Sequence, residues 1–274
     1  LASYEQELLT ALAAGEGPDV FVIRNHDIPA SQNLLAPVSA EQFSTLQLQN
    51  LFPRVIEQEL TINQTIYALP LFLDTLALFY NQDYFDKAGI TRAPATWIEF
   101  QNIIPSLRTL NAQGGIERAG AAIGGSQKTI PYAVDILNAI MLQNKTQMTN
   151  SEHNRATFAQ GEKKQVGLEA FQFYFQFANI GSSIFTWNEN QQESFEAFIN
   201  GNTAMIFAYF EDLEPIRKRN PFLAIRVAPM PQTFPDAPVT YARYNGLAVS
   251  KQSKAPEWAW DFVIQATTNE GIAR

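Results

Sequence analysis

Residues 66–89 read IYALPLFLDTLALFYNQDYFDKAG, and the reading of the rest of the chain follows from this stretch. Thr75–Tyr80 (TLALFY) is an apolar, aromatic run of strand length, set off from the preceding residues by Pro70. Asn81 to Ala88 then has the pattern of a short helix, closed by Gly89. Asp74 stands just before the strand in otherwise apolar surroundings, where an unpaired buried carboxylate is costly. It is expected either to meet a ligand or to be held in an ion pair or cap.

Upstream, residues 2–14 place Leu8, Leu9 and Leu12 on one helical face, and Gly15 suits a left-handed stop. Asp19–Ile23 (DVFVI) follows as a short buried strand. A helix is predicted over about 40–59, and a hairpin where Ile62 and Ile66 flank Asn63-Gln64-Thr65. Downstream, Thr96-Trp97-Ile98-Glu99 has the form of a capping box opening a helix to about Asn111. Strands are predicted at 119–123, 203–208, 223–228 and 247–250, and helices at 131–143, 162–179, 191–200, 212–219 and 256–267. Strands alternating with helices are the mark of an α/β layered fold.

Composition narrows the function. The 274 residues and 46% hydrophobic content are enough for two cores. Nineteen Lys plus Arg against 27 Asp plus Glu leave a net charge of −8 with no basic run, which argues against a nucleic-acid partner. No stretch approaches the roughly 20 apolar residues of a membrane-spanning helix. The absence of cysteine removes thiolate nucleophiles and Cys-ligated metals, and no metal or other cofactor is expected. The chain opens at Leu1 inside a helical pattern, so its start is expected to lie upstream.

Four separated segments resemble, in order, the extracellular solute-binding proteins of the family that includes maltose-binding protein. They are Gly15–Phe21 (GEGPDVF) with Leu34–Pro37 (LLAP), then Ile66–Gly89 with Pro94–Phe100 (PATWIEF), then Phe198–Met205 (FINGNTAM), and finally Asn245–Lys251 (NGLAVSK) with Ala259–Phe262 (AWDF). The chain departs from the family at the hairpin tip, where Asn63-Gln64-Thr65 replaces the usual Asn-Gly-Lys. The resemblance implies a two-lobed α/β periplasmic-binding-protein fold (Venus-flytrap), each lobe a sheet flanked by helices. It also implies that the family's opening strand and final helices lie outside these residues. The first lobe is expected to comprise 1–73 with 243–274 and the second 74–242, with hinge crossings near 72–74 and 240–245.

The function implied is extracytoplasmic capture of a small solute, a mono- or oligosaccharide, by hinge closure and delivery to the membrane permease of an ABC importer. The protein would be a monomer, periplasmic or a cell-surface lipoprotein. Arg24 and Asp27 follow the carboxyl end of a strand, where open α/β sheets bind ligands, and the corresponding loop of the maltose receptor carries ligand contacts. Gln127 and Tyr132 follow a second such strand. Tyr209 and Phe210 fall near the place where sugar-binding relatives put a stacking aromatic. Tyr244 and Asn245 occupy the second crossing, as Asp74 does the first. The dense aromatic run Phe171, Phe173, Tyr174, Phe175 and Phe177 is expected to be core, as are Trp97, Trp258 and Trp260.

Two other classes remain open at this point. A glycoside hydrolase would need a carboxylate pair, and none stands out by motif. An interaction module without transport would show no convergent polar groups. The chain has two histidines, His26 and His153, and no Gly-x-Ser-x-Gly elbow, which leaves a serine triad without a basis. Gly124–Thr129 (GGSQKT) lacks the glycine before Lys-Thr that a phosphate loop requires.

Overall fold

Helix α1 (Ala2–Ala14) is stopped by Gly15, whose φ of 76° is left-handed, and the chain enters strand β1 (Val20–Arg24). A two-residue strand β2 (Leu35–Ala36) leads to helices α2 (Thr45–Leu51) and α3 (Arg54–Leu60). The single helix expected over 40–59 is therefore two. Pro53 lacks an N–H and forces Phe52 into extended backbone (φ −127°, ψ 154°), while Ser44 and Gln47 form a full capping box that starts α2 late. The hairpin β3 (Thr61–Ile62) and β4 (Thr65–Ile66) turns on Asn63 and Gln64, both with positive φ (51° and 64°). Strand β5 (Ala68–Pro70) follows.

The computed structural model describes residues 2–150, 155–160 and 164–268, and the chain divides into two units, Leu1–Asp74 with Ala242–Arg274 and Thr75–Tyr241. The second unit is built on strand β6 (Ala77–Asn81), the centre of a three-stranded antiparallel sheet. Helices α4 (Gln82–Lys87), α5 (Trp97–Leu107), α6 (Ala133–Gln143), α7 (Lys164–Gln176) and α8 (Ser194–Ile199) follow. Next come strand β7 (Met205–Ala208), helix α9 (Leu213–Arg219) and strand β8 (Ile225–Pro229), with β7 and β8 on either side of β6. The chain then returns to the first unit as strand β9 (Asn245–Ser250) and helix α10 (Pro256–Thr268).

Several expectations are corrected here. Helix α5 ends at Leu107 rather than near Asn111, because Thr109–Leu110 turns back to pair with Ile116–Arg118. Thr96 caps α5 as expected, but Glu99 accepts from the Ala95 N–H and pairs with Arg92 instead of closing the box. Residues 119–123 are not a strand beyond one bridge between Ala119 and Thr203, since the Thr186 hydroxyl takes the N–H groups of Gly120 and Ala121 and interrupts the ladder. Helix α6 begins at Ala133 with Tyr132 as its cap, not at Pro131. The predicted helix at 162–179 begins among residues outside those described, as does His153.

The core of the second unit gathers Phe79, Phe100, Phe177 and Trp187, all buried, with Trp97 and Phe100 edge to face at 5.4 Å. Phe173 and Tyr174 of α7 and Phe177 just beyond its end turn inward. Phe171 and Phe175 lie half a helical turn away and are 48% and 52% exposed, so the aromatic run is not all core. Trp260 is buried in the first unit, whereas Trp258, two residues earlier on α10, is 77% exposed.

In the first unit β9 is the hub. It pairs antiparallel with β1, β2 and β5, so most of its backbone groups are spent on partners from the other end of the chain. Gly246 lies where β9 passes closest to β5, and a Cβ there would stand 3.0 Å from the Leu69 carbonyl and 3.3 Å from Ala68 Cβ. Replacing Gly246 by Ala should therefore destabilise the protein by about 1–3 kcal/mol, read as a lower urea midpoint at unchanged slope.

Candidate functional site

In the first unit the register between β1 and β9 sets Arg24 directly opposite Asn245. Beyond Arg24 the chain tightens into one turn of 3-10 helix, Asn25–Asp27. Arg24 Nε donates to Asp27 Oδ2 at 2.7 Å, and its terminal nitrogen pairs with Glu5 of α1 at 2.9 Å. Arg24, Asp27 and Asn245 share a cavity of about 200 Å³ with Glu5, Tyr4 and an apolar wall that includes Leu8, Leu12 and Phe21. With its guanidinium held by two carboxylates, this cluster carries no surplus positive charge. It offers donors and acceptors suited to neutral hydroxyls more than to an anion.

Behind this cluster lies a buried polar group that sequence reading passed over. Asn25, 5% exposed, donates its backbone N–H to the Tyr244 carbonyl at 3.1 Å and its side-chain Nδ2 to Glu59 Oε2 at 2.8 Å. Its Oδ1 is buried and without a hydrogen-bond partner, and the buried Tyr244 hydroxyl stands against the Glu59 carboxylate. Tyr244 is 1% exposed, its ring in the core of the first unit, and burial followed by the nearby Glu59 charge pushes its phenol well above the ordinary range. His26 is exposed, with Nε2 3.6 Å from Asp27.

In the second unit, Tyr132 and Tyr209 meet edge to face with centroids 4.9 Å apart. Each hydroxyl donates to a carboxylate: Tyr132 to Asp212 at 3.2 Å and Tyr209 to Asp135 at 2.9 Å. Asp212 also accepts from the Tyr209 N–H at 3.0 Å, and a 3-10 turn, Phe210–Asp212, results. These crossed contacts tie the start of α6 to the end of β7. They leave Tyr209 fully buried and Phe210 67% exposed. Asp135 and Asp212 lie three residues from the two tyrosines, a spacing that helical and capping geometry explains only once the elements are placed.

Gln127 is exposed and lines a different cavity, of about 570 Å³, with Gly124, Phe171, Tyr174 and Glu189. In that loop the Ser126 N–H donates to the Glu189 carboxylate at 2.8 Å, so a side chain of the protein already takes the place an anion would need. Tyr174 donates to the Gly125 carbonyl at 2.7 Å, and burial raises its phenol strongly. Asp74 is half-buried at the end of the first segment of unit one. No cluster of three or more potential metal ligands occurs among the described residues.

Comparison with known proteins gives this arrangement its setting. The family model described as "Bacterial extracellular solute-binding protein" matches residues 2–273. The chain belongs to that family. Membership implies a place outside the cytoplasm. Among curated relatives, a binding protein of Brucella abortus is 25% identical over 279 residues, covering 97% of this chain and 64% of the relative. The maltotriose-binding protein of Pyrococcus abyssi is 24% identical, over 98% of this chain and 55% of its own length. The chain thus spans about three-fifths of the length of the curated relatives it matches. A sugar-binding protein of Xanthomonas citri superposes with a TM-score of 0.75 at 20% identity, covering 97% of this chain and 65% of that one. The substrate-binding protein of Listeria monocytogenes in complex with cycloalternan gives 0.72 at 19% identity, covering 100% and 67%. At these identities the structural likeness speaks to the fold.

Two measurements follow from the buried phenols. Both Tyr174 and Tyr244 hold their protons above the ordinary tyrosine value of about 10, so below that pH they contribute no pH dependence. As pH rises past about 10 the unfolded chain releases these protons first, and stability falls. Ellipticity should be lost in step with the last tyrosinate absorbance. Tyr244→Phe removes a buried hydroxyl that stands against the Glu59 carboxylate and should change stability by no more than about 1 kcal/mol, read at the urea midpoint.

Proposed function

We propose that the protein binds a neutral sugar, a mono- or oligosaccharide, outside the cytoplasm and hands it to the membrane permease of an ABC importer. The observation that carries the sugar reading is the state of Arg24, whose guanidinium is already engaged by Asp27 and Glu5 beside Asn245. Such a group matches hydroxyls that donate and accept, and it has no free charge to select an anion. The exposed ring of Phe210 adds a flat apolar face of the kind that sugar C–H surfaces contact. Family membership, and relatives named for maltotriose or solved with cycloalternan, support the same class.

In this reading the contacts come from Arg24, Asp27 and Asn245 in the first unit, from Gln127, Tyr132 and Phe210 in the second, and from Asp74 at the crossing. Tyr209 and Tyr244, whose side chains are buried, support those groups from behind. The role is binding rather than catalysis, as membership of a solute-binding family supports. Hinge closure belongs to the same proposal. The chain passes between its units at Asp74–Thr75 and Tyr241–Ala242, and a few torsions there suffice for one unit to turn on the other. A sugar that touches both units shifts that equilibrium by its differential affinity, and the permease reads the closed form. The whole protein would be free in the periplasm or held at the cell surface as a lipoprotein.

A thermal-shift screen against monosaccharides, malto- and manno-oligosaccharides, polyols and amino acids tests this. A true ligand at about 100 times its dissociation constant adds about 2.7 kcal/mol, which for a chain of this size is a rise of roughly 5–10 °C. Arg24→Ala should then weaken binding by about tenfold or more and Phe210→Ala by several-fold. Stabilisation by amino acids with no response to any saccharide would refute the sugar assignment.

A further inference from the structure

Glu59 occupies an unfavourable place. It sits in the last turn of α3, where the negative end of the helix repels a carboxylate, and it is half-buried. Among the described residues it has no ion-pair partner within 4 Å, and its hydrogen-bond donor is the Asn25 amide at 2.8 Å. The acceptor role fixes which way that amide faces. With Nδ2 turned to Glu59, Asn25 Oδ1 is left buried and unpaired, while the Tyr244 hydroxyl stands against the same carboxylate. A cluster selected for stability alone would not keep such an atom. Asn25 is also the first residue of the turn that brings Asp27 onto Arg24, and its N–H is bonded to the Tyr244 carbonyl, the residue before Asn245.

We propose that Glu59 is the positioning residue of the solute-binding cluster in the first unit: its carboxylate locks the Asn25 amide, and through it the turn that sets the Arg24–Asp27 pair opposite Asn245. Glu59 itself touches no solute. The assignment rests on the sugar-binding reading for its consequence, but the lock between Glu59 and Asn25 is a property of the free protein and can be tested without a ligand.

Full-length protein carrying Glu59→Ala or Glu59→Gln is compared with wild type by amide hydrogen exchange, urea unfolding and maltotriose titration. In Glu59→Ala, exchange at the Asn25–Asp27 amides should rise about tenfold, more than the accompanying fall in the urea midpoint accounts for. Glu59→Gln keeps an acceptor oxygen for Asn25 and should return exchange to the wild-type rate. Maltotriose binding should weaken about tenfold in the Ala variant and recover in the Gln variant. If exchange at Asn25 is unchanged in Glu59→Ala, or rises only in step with a lower urea midpoint, the positioning role is overturned. Failure of wild type to bind maltotriose, with the exchange pattern as expected, counts against that sugar and leaves the lock established.

Discussion

The antiparallel pairing of β9 (Asn245–Ser250) with strands from the first 70 residues is the constraint on which the first unit depends. β9 is hydrogen-bonded to β1 on one edge and to β2 and β5 on the other, so the sheet has no centre until the chain has come back from the second unit. Closing so long an excursion costs chain entropy before any contact rewards it. The return is secured by apolar burial: Ala248 and Val249 of β9 and Trp260 and Val263 of α10 all reach the core that Phe21, Ile56 and Leu69 begin.

That same pairing creates the chemistry. Register is a matter of single residues, and a slip of one would move Asn245 away from Arg24 and turn both to the wrong face. With the register held, the polar residues that end β1 and open β9 fall together at one end of a sheet whose remaining side chains, Ser250 apart, are apolar. Gly246 permits the close passage of β5 immediately beside them. The candidate site is therefore a consequence of how the sheet is closed, and the part-buried Asn25–Glu59 contact joins it to α3.

The second unit solves a similar problem without a returning strand at its centre. Its middle strand β6 comes first, and β7 and β8 are added on either side. Polar order at the end of β7 comes from two tyrosines and two aspartates bonded crosswise, which rigidifies the turn carrying Phe210. An exposed ring on a fixed turn is a different device from the buried amide lock of the first unit. Both place an adaptable surface group on a backbone that has little freedom left.

Local chemistry made much of the chain legible as sequence. Apolar runs marked β1, β6, β7 and β9, Gly15 marked a helix stop, and Asn63-Gln64 marked a hairpin, because those signals act over a few residues. The four ordered motifs identified the family. Sequence was misleading where a distant group overrode a local pattern: Thr186 broke the ladder at 120–121, and packing chose three of the five aromatics between Phe171 and Phe177. In the site, Arg24, Asp27 and Asn245 could be singled out from their places at strand ends. Glu5, Glu59, Asp135 and Asp212 could not, since a carboxylate on a helix or turn looks like any solvated charge until the fold supplies its partner. Sequence by itself determined the elements and the family, through interactions between near neighbours. Only the tertiary structure decided which polar residues share a cluster, because hydrogen bonds between residues 34 to 80 positions apart depend on register and packing that no local pattern encodes.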